Sequence, residues 1–501
     1  MAVCQAGAPV ETWTKDMIYR YNPGYVTGCP SVHRRALLRI AHPYSGAIHI
    51  NEPCITNEYI SLMSRHLVVR ERDITPLVVS ACKEAFDILR NLYPPEPLTK
   101  YSFEQVVLSK PTSLRAKARN AVQTVMREGL CRKDEGIRMF IKNERMSYTS
   151  TGGFKPPRAI QARSPQYTVV LQRYIMPYSK KWRRMQDPPI LVGFDGAYIA
   201  TTLYNAWVSY DDPVAVLLDH RKFDSGVHTE WLKQEHSYYI DHFRNDTELV
   251  ALLEVQLRNK CKTANGVRYS MIGTRCSGDA NTSSGNSTVN LAMLLRLFRG
   301  VKSHTYNIGD DSVVILARQS FNHLFNLGRM LELGRDYLWE TPYNIVDVFE
   351  HIEFCQCRPV NTISGWLMVR DPERVLTRAS YCIAQNVTDL TMLKRWMKGV
   401  GLCEQSVNPG VPVLQQFGAW MAAQTRAVPI YEPNYKPWLR AIPYCDNTIT
   451  ASTRLSFAKA FNVSVDQQLR LEHYFRRATI DNTIIRWQAA TQALLSVKDE
   501  Q

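Results

Sequence analysis

No stretch of this sequence approaches the ~20 consecutive apolar residues that a membrane-crossing helix needs. The opening MAVCQAGAPVETWTKD lacks the charged segment and apolar core of a secretion signal. The expectation is a chain without a transmembrane segment. Internal repeats and low-complexity tracts are missing too, which excludes solenoids and biased disordered tracts. Proline and glycine are spread evenly, so no linker marks a domain boundary. Twelve cysteines are too few for a disulfide scaffold in 501 residues. Only Cys355 and Cys357 lie close together, and no second Cys/His pair completes a zinc spacing. They read as reduced thiols in a cytosolic compartment. Acidic residues are in deficit: 46 Asp and Glu face 61 Lys and Arg, a formal net charge of +15. That balance favours polyanions, namely nucleic acid, nucleotides or anionic lipid.

What is present reads as a folded chain, since 45% hydrophobic against 21% charged residues is ordinary globular composition. Residues 1–100 show short apolar runs and turn signals such as Asn22-Pro23-Gly24, with no assignable chemistry. Residues 110–185 are basic and only partly balanced by acids. In Lys155-Pro-Pro-Arg158-Ala-Ile-Gln-Ala-Arg163-Ser-Pro the prolines forbid a helix, so these cations belong on extended segments and loops. Pro213 to Asp219 is a short apolar run ending in an acid, the pattern of a buried strand. Residues 279–299 predict a helix between Gly278 and Gly300. Residues 304–316 predict two strands around a turn at Gly309 and Asp310. From 379 onward helical patterning dominates, with Trp396, Trp420, Trp438 and Trp487 as expected core.

The acids carry the chemistry. Two divalent ions about 3.5–4 Å apart drive phosphoryl transfer, and Mg²⁺ prefers carboxylates. A lone Gly-Asp-Asp is an ordinary turn, but here apolar strands flank it and would expose Asp310 and Asp311. Asp219, ending a separate strand, supplies the partner acid. Asp224 follows five residues later, far enough to leave the metals and reach a sugar. Ser277-Gly278-x3-Thr282-x3-Asn286 sets Thr282 and Asn286 one helical turn apart. An asparagine amide can both donate to and accept from a ribose 2′-OH.

This order of a basic loop, Asp-x4-Asp, Ser-Gly-x3-Thr-x3-Asn and Gly-Asp-Asp resembles viral RNA-dependent RNA polymerases. The wording resembles the tombusvirus-like group of positive-strand RNA viruses: Phe223-Asp224, Ser277-Gly278-Asp279-Ala280-Asn281-Thr282, Glu353-Phe354-Cys355-Gln356 and Pro157-Arg158-Ala-Ile-Gln161-Ala-Arg163-Ser164-Pro165. The resemblance covers roughly residues 105–375. It implies that Asp219 and Asp310 bind two Mg²⁺ (or Mn²⁺) ions with Asp311 in support. Asp224, Asn286 and Thr282 would serve ribose selection. Lys142, Lys155, Arg158 and Arg163 would neutralise the triphosphate. Ser277, Gly278, Lys110 and Arg115 would contact template RNA, and Phe354, Cys355 and Gln356 would form the primer grip.

The implied fold is α+β, a closed right hand with an antiparallel palm sheet and a helical thumb. Residues 1–210 would be fingers and N-terminal extension, 211–230 and 271–365 palm, 231–270 a fingers insertion and 366–501 thumb. Implied partners are template and nascent RNA, ribonucleoside triphosphates and a membrane-anchoring viral or host protein, in the host cytoplasm. One departure stands out. The family usually places a lysine between the Gly-Asp-Asp turn and the primer grip, yet no lysine occurs from Asp311 to Val360. Arginine donates protons poorly and histidine titrates near neutrality, which leaves His351 and Arg335 as candidates for the general acid. The competing readings are a reverse transcriptase and a non-catalytic basic RNA-binding protein.

Overall fold

The computed structural model describes residues 2–3, 19–20, 37–40, 44, 46–67, 74–148, 152–384, 386–387, 389–431, 446–478 and 485–487. The turn expected at Asn22-Pro23-Gly24 and the core position expected at Trp438 lie outside them, as does the side chain of Trp487.

A four-stranded antiparallel sheet forms the centre. Its order is Ser303–Ile308, Asp311–Ala317, Pro213–Leu218, Tyr343–Val346. Alternation puts Val214, Val216, Val314 and Leu316 into one core and Ala215, Val313 and Ile315 into another. Both faces are therefore covered, which explains why these strands read as continuous apolar runs rather than alternating ones. On the first face lies the helix Thr282–Leu297, whose Val289, Met293 and Leu297 are fully buried. On the second lies the helix Gly196–Trp207, through Ile199 and Leu203. Each fully buried Val, Ile or Leu side chain contributes roughly 1.5–3 kcal/mol.

A second sheet runs in the order Tyr19–Arg20, Arg268–Ile272, Arg258–Thr263, Ile137–Ile141, Ala159–Ala162. The strands at 258–272 thus join strands more than a hundred residues earlier, a pairing with no local sequence signal. Leu62, Met63 and Leu67 pack against this sheet. The hairpin Cys357–Thr362 with Gly365–Arg370 shares a core with the helices Leu390–Val407, Leu414–Ala422, Ala451–Phe461 and Val465–Arg477. Trp396 and Trp420 are buried in that core, as expected. No helix among the described residues is long and apolar enough to cross a membrane.

Candidate active site

The register of the central sheet assembles the acids. Leu218 pairs with Ser312 in an antiparallel ladder, and Ile308 pairs with Asp311 across a loop of Gly309 and Asp310. One step past Leu218, Asp219 therefore faces Asp311. Gly309 takes φ +65°, the left-handed geometry that a two-residue hairpin loop demands at its first position. The three acids reach solvent, but they crowd one another. Desolvation there, then the Asp310 and Asp219 carboxylates, push Asp311 up to about 6. Asp310 is raised as well, first by desolvation and then by Asp224 and Asp219, against the opposing pull of Arg158.

Crowded carboxylates that raise one another's pKa are the donor chemistry of a divalent-cation site. Among the described residues no three His, Cys, Asp or Glu side chains already close around one point. A Mg²⁺ site does not need such a cage, because waters and substrate phosphates complete one or two carboxylates. The acids fit that open kind of site.

Beside them sits a second cluster. Asn286 Nδ2 donates to Asp224 Oδ1 at 2.6 Å, and Ser277 Oγ donates to Asp224 Oδ2 at 2.5 Å. Asp224 arrives on a short turn in which Lys222 has φ +54°. Behind that turn, Trp339 stacks on Phe223 at 4.7 Å and 4°. The indole occupies the space where a Cβ on Gly226 would fall. Gly278 is also needed for closeness: a Cβ there would lie 2.7 Å from the Gln161 carbonyl oxygen. The loop after Cys276 is thereby pressed onto the strand Ala159–Ala162. That strand leads the basic segment past the acids, where Arg158 lies 3.7 Å and Lys142 3.3 Å from opposite oxygens of Glu144.

Residues 25–483 match the sequence model of the family described as viral RNA dependent RNA polymerase. The chain belongs to that family. It is 32% identical over 382 residues to the RNA-directed RNA polymerase of Carnation mottle virus, covering 73% of this chain and 49% of that one. It is 29% identical over 483 residues to that of Tobacco necrosis virus (strain A), covering 88% and 64%. Against that of Tomato bushy stunt virus (strain Cherry) the identity is 27% over 485 residues, covering 91% and 58%. The chain thus spans about half to two thirds of the length of these relatives.

For a member of this polymerase family, some residues stand where the sequence placed them and others do not. Asp219, Asp310 and Asp311 converge, as do Asp224, Asn286 and Ser277. Arg163 does not join the exposed cations. Its guanidinium is 1% exposed and committed to Asp279 at 3.0 Å, with Asn259 and the Glu135 carbonyl as further partners. A cation sealed in this way braces the loop onto the strand and has no face left for a triphosphate. The Thr282 hydroxyl is likewise engaged, donating to the carbonyls of Cys276 and Asp279 at 2.8 and 2.9 Å. It shapes the loop at the helix start. Arg115 donates to the Lys110 and Leu108 carbonyls, both at 3.0 Å, while burial lowers the pKa of Lys110. Lys155 is exposed.

Phe354 and Cys357 exchange backbone hydrogen bonds of 2.9 and 3.0 Å, making Cys355 and Gln356 a turn with φ +52° and +62°. Asp311 helps push the Cys355 thiol pKa up, after the larger effect of burial, so this turn lies within electrostatic reach of the acids. His351 instead turns its Nε2 to the Lys459 carbonyl at 3.1 Å. Arg335 binds Asp336 at 2.5 Å.

Sequence reasoning missed several residues at the site. Arg65, on the helical turn Leu62–His66, lies within electrostatic reach of Arg158, Glu144, Asp224 and Asp310. Nothing local in residues 1–100 signals this. Asn290 Nδ2 reaches the Gly309 and Asp310 carbonyls at 3.0 and 3.2 Å, and Ser287 Oγ accepts from Gly309 N at 2.8 Å. His220 bridges Asn290 at 3.2 Å and Thr341 at 2.8 Å. For Asn290 a signal existed: it lies one helical turn beyond Asn286.

Proposed function

We propose that this chain catalyses RNA-templated addition of ribonucleotides to an RNA 3′ end with release of pyrophosphate. The observation that carries this reading is the sheet register that sets Asp219 against Asp311, beside the Asp224–Asn286–Ser277 cluster. Asp219 and Asp310, with Asp311 in support, would hold two Mg²⁺ or Mn²⁺ ions. Such ions, when bound, stabilise charge on the attacking and leaving oxygens. The protein's own part is to orient and to neutralise. Asp224 and Asn286 read the ribose hydroxyl. Arg158, Lys142 and Lys155 meet the triphosphate, where fixed cations stabilise developing charge without reorganising. Ser277, Gly278, Lys110 and Arg115 guide template RNA, and the turn Phe354-Cys355-Gln356 supports the primer end.

In this reading the molecule is a closed right hand. The central sheet, within 211–230 and 271–365, is the palm. Residues 1–210 and the insertion 231–270 are fingers, a division supported by the sheet that joins strands from both. Residues 366–501 are the thumb, supported by their shared helical core. The setting is the host cytoplasm, at membranes reached through an anchoring viral or host partner.

The test is templated incorporation of a radiolabelled ribonucleotide by the purified chain with Mg²⁺ or Mn²⁺, alongside Asp310→Ala. We expect synthesis by the parent and its loss in the variant, with RNA binding retained. Absence of synthesis by the parent would leave only a basic RNA-binding protein, and a variant as active as the parent would remove Asp310 from the metal site. A reverse transcriptase would prefer deoxynucleotides; the Asp224–Asn286 pair favours ribonucleotides, and competition between the two decides.

A further inference from the structure

An asparagine amide has two nearly isosteric orientations that differ only in which end presents donors. Only one of them points Nδ2 at Asp224; the other would set Oδ1 against a carboxylate. The selection is made from behind. Arg275 Nε donates to Asn286 Oδ1 at 3.0 Å. A guanidinium carries donors alone, so it accepts only the oxygen end of that amide. The same residue holds the other partner, since Arg275 N donates to the Asp224 carbonyl at 2.9 Å.

Arg275 is itself fixed. Its Nη2 binds Glu235 Oε2 of the helix Thr229–His242, and the two side chains are 1% and 0% exposed. Asn281 and Gln256 continue the network through reciprocal amide bonds of 2.9 and 3.1 Å. A buried ion pair contributes less to stability than apolar packing of the same volume, and its best-attested use is to hold one conformation. Gly285, on the helix that carries Asn286, leaves the space the pair needs: a Cβ there would collide with both Glu235 Oε1 and Arg275 Nη2.

We propose that Arg275, held by Glu235, is a specificity-determining positioning residue that locks the Asn286 amide toward Asp224 and so sets discrimination for the ribose 2′-OH. This rests on the reading of Asp224 and Asn286 as the ribose-sensing pair. The test compares kcat and KM for one ribonucleotide and its deoxy counterpart in the parent, Arg275→Gln, Arg275→Lys, Gly285→Ala and Asn286→Ala, with thermal melting of each. In Arg275→Gln and Gly285→Ala the ribo-to-deoxy ratio of kcat/KM should fall about tenfold, the loss of one buried hydrogen bond. It should appear mainly as a raised KM for the ribonucleotide, and Arg275→Lys should retain part of the ratio. Gly285→Ala removes no charge and displaces the pair only by crowding, so it reports even where Arg275→Gln does not fold. Equal losses for both nucleotides would overturn the proposal and make the pair merely structural. An unchanged ratio in Asn286→Ala would overturn the ribose reading itself. A reduced ratio there with parental ratios in the other variants would overturn the lock alone.

Discussion

Asn290 and His220 hold the acidic turn from its rear, and neither carries charge to a substrate. Asn290 spends both amide protons on the Gly309 and Asp310 carbonyls, and its Oδ1 lies 3.2 Å from His220 Nε2. Burial drives His220 down to about 4, so its ring is neutral. Replacing Asn290 by Asp keeps the size and removes the donors. We expect kcat to fall roughly tenfold to a hundredfold with KM little changed, because a displaced carboxylate is felt in the transition state. Steady-state incorporation kinetics check this; a rise in KM at constant kcat would place Asn290 in nucleotide binding instead. The acids were legible at this scale because Asp219 ends one apolar run and Asp310 and Asp311 lie between two others. The residues behind them were not, because an interior Asn or His has many structural uses and only a neighbour from another element selects one.

At the scale of elements, the loop after Cys276 packs backbone to backbone against the strand Ala159–Ala162. Gly278 permits it, and the buried Arg163–Asp279 pair locks it. Gly278→Ala must push the loop off the strand. We expect a loss of about 1–3 kcal/mol in unfolding free energy, in the range of core overpacking, and at least about tenfold in activity through Ser277 and Asp224. Denaturant titration and incorporation assays read the two effects. Parental values in both would show that the strand yields. The motif wording exposed Gly278 in the sequence, but as a template contact; the structure supplies the different reason of backbone contact. Arg163 shows the same limit. Its place among cations suggested a phosphate partner, yet burial beside Asp279 gave it another.

The whole molecule buries several histidines as neutral rings. Burial lowers His66, His228 and His242 to about 4 and His236 to about 3, from an ordinary 6.5. Between these values the unfolded chain binds protons that the folded chain refuses. Stability is therefore full above pH 6.5 and falls as pH drops through the window from 6.5 to about 4. Each ring removes up to about 1.4 kcal/mol per pH unit there. The denaturant midpoint should be clearly lower at about pH 5 than at about pH 7.5, and His236→Gln should flatten the slope. A midpoint unchanged across that interval would show that these rings reach water before the chain unfolds.

The apolar runs, the turn at Gly309, the acids beside those runs and the spacing of Ser277, Gly278 and Asn286 are legible along the chain, because neighbouring residues set them. So is the family, since motif order is a property of the chain alone. Folding alone brings about the sealing of Arg163, the approach of Arg65 to the acids, the joining of strands at 258–272 to those at 137–162 and the facing of Arg275 and Asn286. The physical reason is common to all four. Burial and charge pairing depend on which distant segment arrives at a given surface, and a side chain's chemistry is fixed by that arrival rather than by its place in the chain.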